Sequence, residues 1–323
     1  MSNQPSSTPS DPAPVQPPAI DRALPALALL QVLLLTAGWG GNAPALRYSL
    51  HYLPPFSAAG MRFLLGMGVV VVLARLRRVS LRVRREEWLP LMWLGVLFTV
   101  QIALLNYGSA RTEANRQALL INSYPLFVPL LAHFFLRGDR LTAHKIGGTL
   151  LAFAGVLIVF GEKVWTGRGA ISGDLLVAGS ALLLAVIAVY SSSLLRSSHP
   201  FQVLFWQMAM AIPCFFGLSL VFEPQRYQWS AVVAVAVLYQ GLVVGGLCFV
   251  GWTSLLGRYS PSRLSVGFLL TPMWGSLFSF LLLGEPITPG LAVGGAAVLL
   301  GLLLVNRSRI GAPPHAGSHG DSR

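Results

Sequence analysis

The chain alternates between long apolar runs and short polar segments. Nine runs contain no Lys, Arg, Asp or Glu: 23–46, 88–110, 117–136, 146–161, 175–195, 197–222, 227–257, 264–284 and 286–306. A tenth run, 54–74, is interrupted only by Arg62. A helix needs roughly 20 apolar residues to cross a bilayer, and the run at 146–161 reaches that length only with its polar flank from Thr142. Because backbone groups in lipid must bond within the protein, the pattern predicts an all-α membrane protein with ten transmembrane helices.

The segments outside these runs leave no room for a separate catalytic domain between the first run and the last. Residues 1–22 are rich in proline and serine, and the first 20 of them contain no Lys or Arg. This composition predicts a disordered tail and lacks the basic start of a secretory signal peptide, so we expect the first apolar run to remain as a helix. Residues 307–323 are predicted to form a second disordered tail.

Two halves of the chain carry the same landmarks, namely a proline within an apolar run, a glycine–acid turn and a glycine-rich run. The landmarks are Pro125, Gly138, Asp139, Gly148 and Gly155 in the first half and Pro272, Gly284, Glu285, Gly294 and Gly301 in the second. They define repeats at 23–161 and 162–306 with five runs each. Because five is odd, we expect the second repeat to be inverted in the membrane. Inverted repeats are typical of secondary transporters, whose sites lie near the midplane between the repeats, although duplication of a stable unit is an alternative explanation.

Composition and charge agree with a membrane protein. Hydrophobic residues make up 54% of the chain and charged residues only 11%, against about 25% charged residues in soluble domains. With a cytoplasmic N-terminus, the ten runs place 16 of the 23 Lys and Arg residues on the cytoplasmic side. The positive-inside rule then predicts that both termini are cytoplasmic. We interpret the arginine cluster at 75–85 as a contact with anionic lipid rather than with nucleic acid.

These features resemble the EamA half-domain of the drug/metabolite transporter superfamily, present twice and covering about 24–306. The resemblance is carried by the glycine–acid turn after a proline-containing helix, the glycine-rich last helix, Trp39-Gly40, and Pro55-Phe56 followed by Arg62. It implies a cofactor-free secondary transporter of the bacterial inner membrane, for example an exporter of amino acids or related metabolites. The chain departs from the pattern at Asp139, which replaces a glutamate, and at Gln207, which replaces a charge at the position equivalent to Arg62.

Arg62 is the most informative candidate for a binding residue. A charge at the centre of a spanning helix costs about 2.5–3.5 kcal/mol on insertion scales and almost always faces the protein interior or a water-filled cavity. A guanidinium there can bind a carboxylate or another anion through two hydrogen bonds. The alternative is structural, since Arg62 lies about a third of the way into its run and can bond backbone carbonyls or reach the interface.

Polar and aromatic side chains beside glycines and prolines extend the candidate cavity. In the first repeat they are Trp39, Asn42, Gln101, Asn106, Tyr107, Asn122 and Tyr124, and in the second Tyr190, Gln207, Tyr239, Trp252, Thr271 and Trp274. Pro125 and Pro272 are predicted to kink their helices, because a proline within a span frees backbone groups that neighbours or water must satisfy. Singly, each polar residue is better explained by bonding between helices. As a set, they predict the wall of a shared cavity.

Other chemistry finds little support in the sequence. We expect no metal site, nucleotide site or enzymatic nucleophile, and we interpret Cys214 and Cys248 as small core residues. His133 is the one histidine deep within a run, where it is either packing or a proton relay. Asp139 and Glu285 are predicted to cap turns or helix starts. The leading prediction is a secondary transporter, as a monomer or homodimer with lipid and a small molecule as partners; the alternatives are a channel or facilitator without ion coupling and, less well supported, a membrane enzyme.

Overall fold

The computed structural model describes residues 23–165, 171–283 and 289–307, and every regular element in these ranges is helical. The elements of the first repeat are α1 (Ala26–Gly40), α2 (Asn42–Leu50), α3 (Pro55–Leu76), α4 (Arg85–Ser109), α5 (Ala114–Ile121), α6 (Tyr124–Phe135) and α7 (Ala143–Trp165). Those of the second are α8 (Ile171–Leu194), α9 (Pro200–Phe222), α10 (Ala231–Leu238), a π-helix (Tyr239–Cys248), α11 (Phe249–Leu256), α12 (Pro261–Gly267), a 3-10 helix (Phe268–Leu270), α13 (Thr271–Leu283) and α14 (Pro289–Asn306). The predicted tail at 1–22, Glu285 and residues 308–323 lie outside the described residues.

Within the described residues, eight helical stretches are long and apolar enough to cross a membrane. They are Ala26–Leu50, Pro55–Leu76, Arg85–Ser109, Arg116–Phe135, Ile171–Leu194, Pro200–Phe222, Ala231–Leu256 and Pro289–Asn306. Two other predicted spans have a different form. The apolar part of α7, Ala143–Val159, is shorter, and the segment from α12 to α13 is interrupted by the 3-10 helix. The all-helical, multi-pass prediction is therefore confirmed for this part of the chain.

Hydrogen bonds between distant residues show which helix ends lie together. At one end, here called the Leu24 end, the Leu24 N–H donates to Asn306 Oδ1 over 2.5 Å, and Ser198 Oγ lies 2.9 Å from Glu87 Oε1. At the opposite end, here called the Glu223 end, the Phe56 N–H donates to Glu223 Oε1 over 2.8 Å. Successive helical stretches therefore run in alternating directions between the two ends.

The two glycine-rich last helices of the repeats, α7 and α14, pack against each other with their backbones in close approach. A Cβ placed on Gly294 would lie 2.5 Å from the carbonyl oxygen of Gly155, and one on Gly148 would lie 2.5 Å from Val305 Cγ2. Small residues permit such approach between membrane helices, where packing rather than water exclusion drives association. The repeated glycine pattern thus joins the first repeat to the second.

Among the helical stretches that the structure describes, four are discontinuous, and each break has a local cause or a close contact. Gly41 separates α1 from α2, and Asn122-Ser123 separates α5 from α6, whose second residue is Pro125, which has no N–H to continue the bonding. The 3-10 helix likewise precedes α13, whose second residue is Pro272. In the π-helix, a Cβ on Gly241 would lie 2.5 Å from Leu65 Cβ of α3. Breaks and π-helices inside membrane spans are frequent at functional sites.

Candidate functional site

The helix breaks surround a cluster of aromatic rings that we call the aromatic junction. Trp39, the penultimate residue of α1, lies at its centre, with ring-centroid distances of 5.2 Å to Phe268, 5.5 Å to Trp252 and 5.9 Å to Phe249. Phe268 continues the contact to Tyr124 at 5.3 Å. The junction therefore joins the ends of α1 and α5–α6 to α11 and the 3-10 helix, and so contains residues of both repeats.

The junction extends through Phe249 to a second group of rings around Phe63. The ring centroids of Phe249 and Phe63 are 5.8 Å apart, and Phe63 contacts Phe98 at 4.8 Å and Phe215 at 5.9 Å. The guanidinium carbon of Arg62 lies 4.7 Å from the centroid of the Phe63 ring. A cation above an aromatic face is attracted by the quadrupole of the ring. Arg62 is thus attached to one side of a continuous aromatic core.

The Arg62 side chain is buried without a compensating anion. The residue is 5% exposed, and its Nε–H has no hydrogen-bond partner. Among the residues that the structure describes, Arg62 forms no salt bridge. Buried charges are normally paired or hydrogen-bonded, because the desolvation of an unpaired charge is costly. An open donor on a buried cation is therefore able to bind an anionic group that enters the protein.

Three other buried polar atoms without a partner lie beside the helix breaks. Asn42 Oδ1 follows the break at Gly41, Asn122 Oδ1 lies within the break before α6, and Thr271 Oγ1 follows the 3-10 helix. Buried polar groups in folded proteins are generally hydrogen-bonded, so each exception requires an explanation such as a bound ligand or water. The break regions thus present unused hydrogen-bonding groups from both repeats.

Several candidates from the sequence form bonds between helices. Gln101 Nε2 donates to Ser180 Oγ over 2.8 Å, and Asn106 Nδ2 donates to the carbonyl oxygen of Pro55 over 3.0 Å. Tyr190 OH donates to the carbonyl oxygen of Pro90 over 3.1 Å. Asn106 Oδ1 has no partner, which separates it from the other two. These contacts match the structural alternative for polar residues in spans.

The remaining candidates lie around the junction or away from it. Tyr239 OH donates to the carbonyl oxygen of Gly38 over 2.5 Å, and Trp274 packs against Gly40. Both contacts are with residues next to Trp39 in the chain. Gln207 is buried in α9 at 4% exposure. Tyr107, by contrast, is 42% exposed and stacks on Phe56, so the structure does not bring it to the junction.

The structure also corrects one position and adds others. His133 is not deep in a span: it is exposed in the last turn of α6, and its Nδ1 accepts a hydrogen bond from the Leu141 N–H over 3.4 Å. The sequence candidates did not include Phe249 and Phe268 of the junction or Phe63 of the adjoining ring group. A phenylalanine in an apolar run can face either lipid or the protein core, and the sequence does not distinguish the two. An alignment of the two repeats, which places Phe268 near the break before Pro125, could have indicated one of these residues.

The sequence profile of the EamA-like transporter family matches residues 26–161 and 171–307, which together form most of the chain. The chain belongs to the EamA-like transporter family. The resemblance drawn from the sequence motifs is therefore confirmed, and the protein is a multi-pass membrane protein of a transporter family. The two matched EamA domains also divide the aromatic junction: Trp39 and Tyr124 come from the first, and Phe249, Trp252 and Phe268 from the second.

Named relatives and a solved structure agree with membership of the EamA family. The chain is 25% identical over 283 residues to a probable amino-acid metabolite efflux pump of Escherichia coli K12, covering 85% of this chain and 92% of that protein. It is 27% identical over 304 residues to a probable terminal-alkyne amino-acid exporter of Streptantibioticus cattleyicolor, covering 91% of this chain and 98% of the exporter. A crystal structure with 22% sequence identity superposes with a TM-score of 0.74, covering 86% of this chain and 97% of the other, which shows the same fold.

Proposed function

We propose that this EamA protein is a secondary transporter that exports a small metabolite with a carboxylate group, such as an amino acid or a related compound, across the bacterial inner membrane. The observation that carries the proposal is Arg62, a buried guanidinium with an unpartnered Nε–H beside an aromatic core built from both repeats. The printed names of the relatives, an amino-acid metabolite efflux pump and an amino-acid exporter, support the substrate class and the direction.

The chemistry of the site fits a zwitterionic molecule. The Arg62 guanidinium binds a carboxylate through charge-assisted hydrogen bonds, which are about twice as strong as neutral ones. The open Oδ1 atoms of Asn42 and Asn122 accept N–H groups, as an ammonium group requires. The rings of Trp39, Phe249 and Phe268 supply apolar contact and cation–π attraction for the rest of the substrate. Substrates that lack a carboxylate leave Arg62 unpaired and are rejected by this site.

The architecture that we propose has ten transmembrane helices in two inverted five-helix repeats, with the Leu24 end in the cytoplasm. Two carboxylates support the inversion, because each contacts the start of the second span of the other repeat, at opposite ends of the bundle. Glu87 accepts a hydrogen bond from Ser198, just before α9, and Glu223 accepts one from Phe56, at the beginning of α3. The helix breaks near Pro125 and Pro272 support the division into two repeats, since they occupy equivalent positions in each repeat.

Alternating access follows from this arrangement. Rocking one repeat against the other opens a midplane site to each side of the membrane in turn. The aromatic junction is divided between the repeats, so relative motion of the repeats changes the contacts of Trp39 with Phe249, Trp252 and Phe268. We infer that a carboxylate on Arg62 and an apolar group on the junction favour the closed arrangement of the repeats.

A facilitator without ion coupling is a second candidate. It is favoured by the positions of the acidic residues within the described ranges, all of which lie at or near helix ends: Glu86, Glu87, Glu113, Asp139, Glu162, Asp174 and Glu223. Proton-coupled carriers commonly use an ionisable residue within the membrane. Flux that does not respond to a pH gradient would favour this candidate over a coupled exporter.

Reconstitution in liposomes tests the proposal. Liposomes that contain the purified protein are loaded with unlabelled substrate, and their uptake of labelled amino acids is measured with and without a pH gradient. We expect faster uptake when the same amino acid is present inside, because exchange is a property of carriers and not of open channels. Arg62→Ala is expected to abolish the uptake of carboxylate substrates, and Arg47→Ala, which changes an exposed arginine outside the site, is expected to retain it. Wild-type uptake by Arg62→Ala would contradict the proposal.

A further inference from the structure

Two adjoining cavities lie at the Leu24 end, on the outside of the bundle and away from the aromatic junction. The larger has a volume of about 370 Å³ and is lined by Arg75, Ser80 and Arg82 on one side and by Phe205 and Trp206 on the other. The smaller has a volume of about 130 Å³ and an apolar lining that includes Trp88, Met92, Ala209 and Met210. Trp206 lines both cavities, and we refer to the pair as the groove, with a cationic part and an apolar part.

The cationic part is built on an ordered segment that we call the arginine strap, residues 77–84. Its side chains alternate, since Val79, Leu81 and Val83 pack against the hydrophobic core whereas Ser80 and Arg82 are exposed. The backbone of the strap is attached to α9 by side chains. Gln202 Nε2 donates to the carbonyl oxygens of Ser80 and Arg82 over 3.0 and 2.7 Å, and Trp206 Nε1 donates to that of Leu81 over 3.0 Å. These bonds fix the backbone of the strap against α9.

Four arginines at this surface have no acidic partner within the described ranges. Arg75, Arg77, Arg78 and Arg82 are exposed, and within the described ranges none of them forms a salt bridge. Arginine binds phosphate oxygens through a planar, multidentate set of donors. The space bordered by Arg75, Arg82 and the Ser80 hydroxyl therefore fits the monoanionic phosphate of a ligand that also carries hydroxyl groups.

The apolar part lies further along α9 from its first residue than the cationic part. Ala209 and Met210 follow the first residue of α9, Pro200, by 9 and 10 positions, which at 1.5 Å per residue corresponds to roughly 14 Å along the helix. Trp88 and Trp206 contact each other between the two parts, with ring centroids 4.3 Å apart. Tryptophan is enriched at the border between headgroups and hydrocarbon. The order of cation, tryptophan pair and apolar groove is the order of headgroup, glycerol region and acyl chain in a phospholipid.

We propose that this groove is a binding site for an anionic glycerophospholipid, with its phosphate at Arg75 and Arg82 and an acyl chain on the apolar surface of Ala209 and Met210. Charge complementarity excludes a zwitterionic lipid as the preferred occupant, because its ammonium group would lie among the strap arginines. The apolar extension excludes a free phosphate ion, which would leave that part of the groove unused. The site is independent of the transport proposal, since it shares no residue with the aromatic junction.

Lipid binding to the full-length protein, purified in a neutral detergent, tests this proposal. Dioleoylphosphatidylglycerol, dioleoylphosphatidylcholine and inorganic phosphate are added separately, and bound lipid is counted by native mass spectrometry while melting temperatures are recorded. We expect phosphatidylglycerol to bind and to raise the melting temperature, and the other two to have little effect. Equal binding of phosphatidylcholine, or equal stabilisation by inorganic phosphate, would overturn the proposal.

Three variants locate the site. Arg75→Gln combined with Arg82→Gln is expected to weaken phosphatidylglycerol binding roughly 10- to 30-fold, from about 1 kcal/mol for each arginine near an anionic headgroup. The matched control, Arg47→Gln combined with Arg226→Gln, removes the same charge from exposed arginines elsewhere and is expected to bind like the wild type. Ala209→Leu fills the apolar part and is expected to weaken lipid binding with the arginines intact.

Measurements with and without lipid separate a folding defect from a binding defect. The melting temperature of each variant without lipid reports folding, and the exposed Arg82 allows Arg82→Gln alone to serve as a milder variant with an intermediate loss of affinity. Wild-type affinity in the variant with both Arg75→Gln and Arg82→Gln would overturn the assignment of the headgroup. Wild-type affinity in Ala209→Leu would overturn the assignment of the acyl chain and leave the groove without a lipid.

Discussion

Lys145 and Asp139 form a buried ion pair at the Leu24 end, with Lys145 Nζ 2.6 Å from Asp139 Oδ1 and both side chains 1% exposed. The other carboxylate oxygen of Asp139 accepts hydrogen bonds from Ser260 Oγ over 2.5 Å and from Ser262 Oγ over 2.8 Å. It also accepts the Ser262 N–H over 3.3 Å, at the start of α12. One carboxylate in the turn of the first EamA repeat thus holds the beginning of a helix of the second.

Removal of the Asp139 charge is expected to destabilise the protein. Asp139→Asn leaves the buried Lys145 ammonium without this carboxylate, and loss of one partner of a buried pair costs about 3–5 kcal/mol. The measurement is thermal unfolding of the purified protein in detergent. The double variant Asp139→Asn with Lys145→Met is expected to recover part of the loss, because the buried ammonium is then removed together with the carboxylate that faces it. An unchanged melting temperature for Asp139→Asn would show that the pair does not stabilise the fold.

Two adjacent glycines in α7 provide a matched test of the contact with α14. A methyl group at Gly148 would lie 2.5 Å from Val305 Cγ2, whereas the nearest atom to a methyl group at Gly147 is Leu304 Cδ2 at 3.8 Å. We expect Gly148→Ala to destabilise the protein by about 1–3 kcal/mol through overpacking. Gly147→Ala is expected to be neutral or stabilising by up to about 1 kcal/mol, since alanine favours helix. Equal unfolding midpoints for the two variants would contradict the close packing of these helices.

Arg62 is expected to oppose stability while it supports transport. Arg62→Met replaces a buried, unpaired charge with an apolar side chain of similar length, which we expect to raise stability by about 1–3 kcal/mol and to abolish uptake of carboxylate substrates. Melting temperature and liposome uptake are measured on the same preparation. Arg47→Met serves as the exposed control and is expected to change neither. A destabilised Arg62→Met would instead assign Arg62 a structural role.

Trp39 is expected to determine affinity at the aromatic junction. It contacts three rings from the second repeat, so Trp39→Ala removes the central contact between the repeats. We expect a decrease in transport of roughly tenfold or more, from an aromatic contact worth about 1.5 kcal/mol, and a smaller decrease for Trp39→Phe. The control is Trp229→Ala, because Trp229 is 54% exposed and outside the junction. A greater effect of Trp229→Ala on uptake would contradict the assignment.

The sequence by itself determined the class of protein and much of its linear organisation. Apolar runs of spanning length, the repeated landmarks around Pro125 and Pro272, and the one charged residue within an apolar run, Arg62, are local features, and each can be read without knowing which helices touch. The same locality explains why the motifs identified the EamA family, since the glycine–acid turn and the glycine-rich run are contiguous in the chain.

Only the tertiary structure decided which side chains meet. Gln101 bonds to Ser180, 79 residues away, and Asp139 bonds to Ser262, 123 residues away. Phe249 and Phe268 face the junction, whereas Tyr107, which the sequence favoured, faces outwards. The physical reason is the solvent. Lipid chains are as apolar as a protein core, so hydrophobicity does not mark the inner face of a membrane helix as it does in water. Contacts between helices are set by shape and by hydrogen bonds across long separations, and these exist only once the chain is folded.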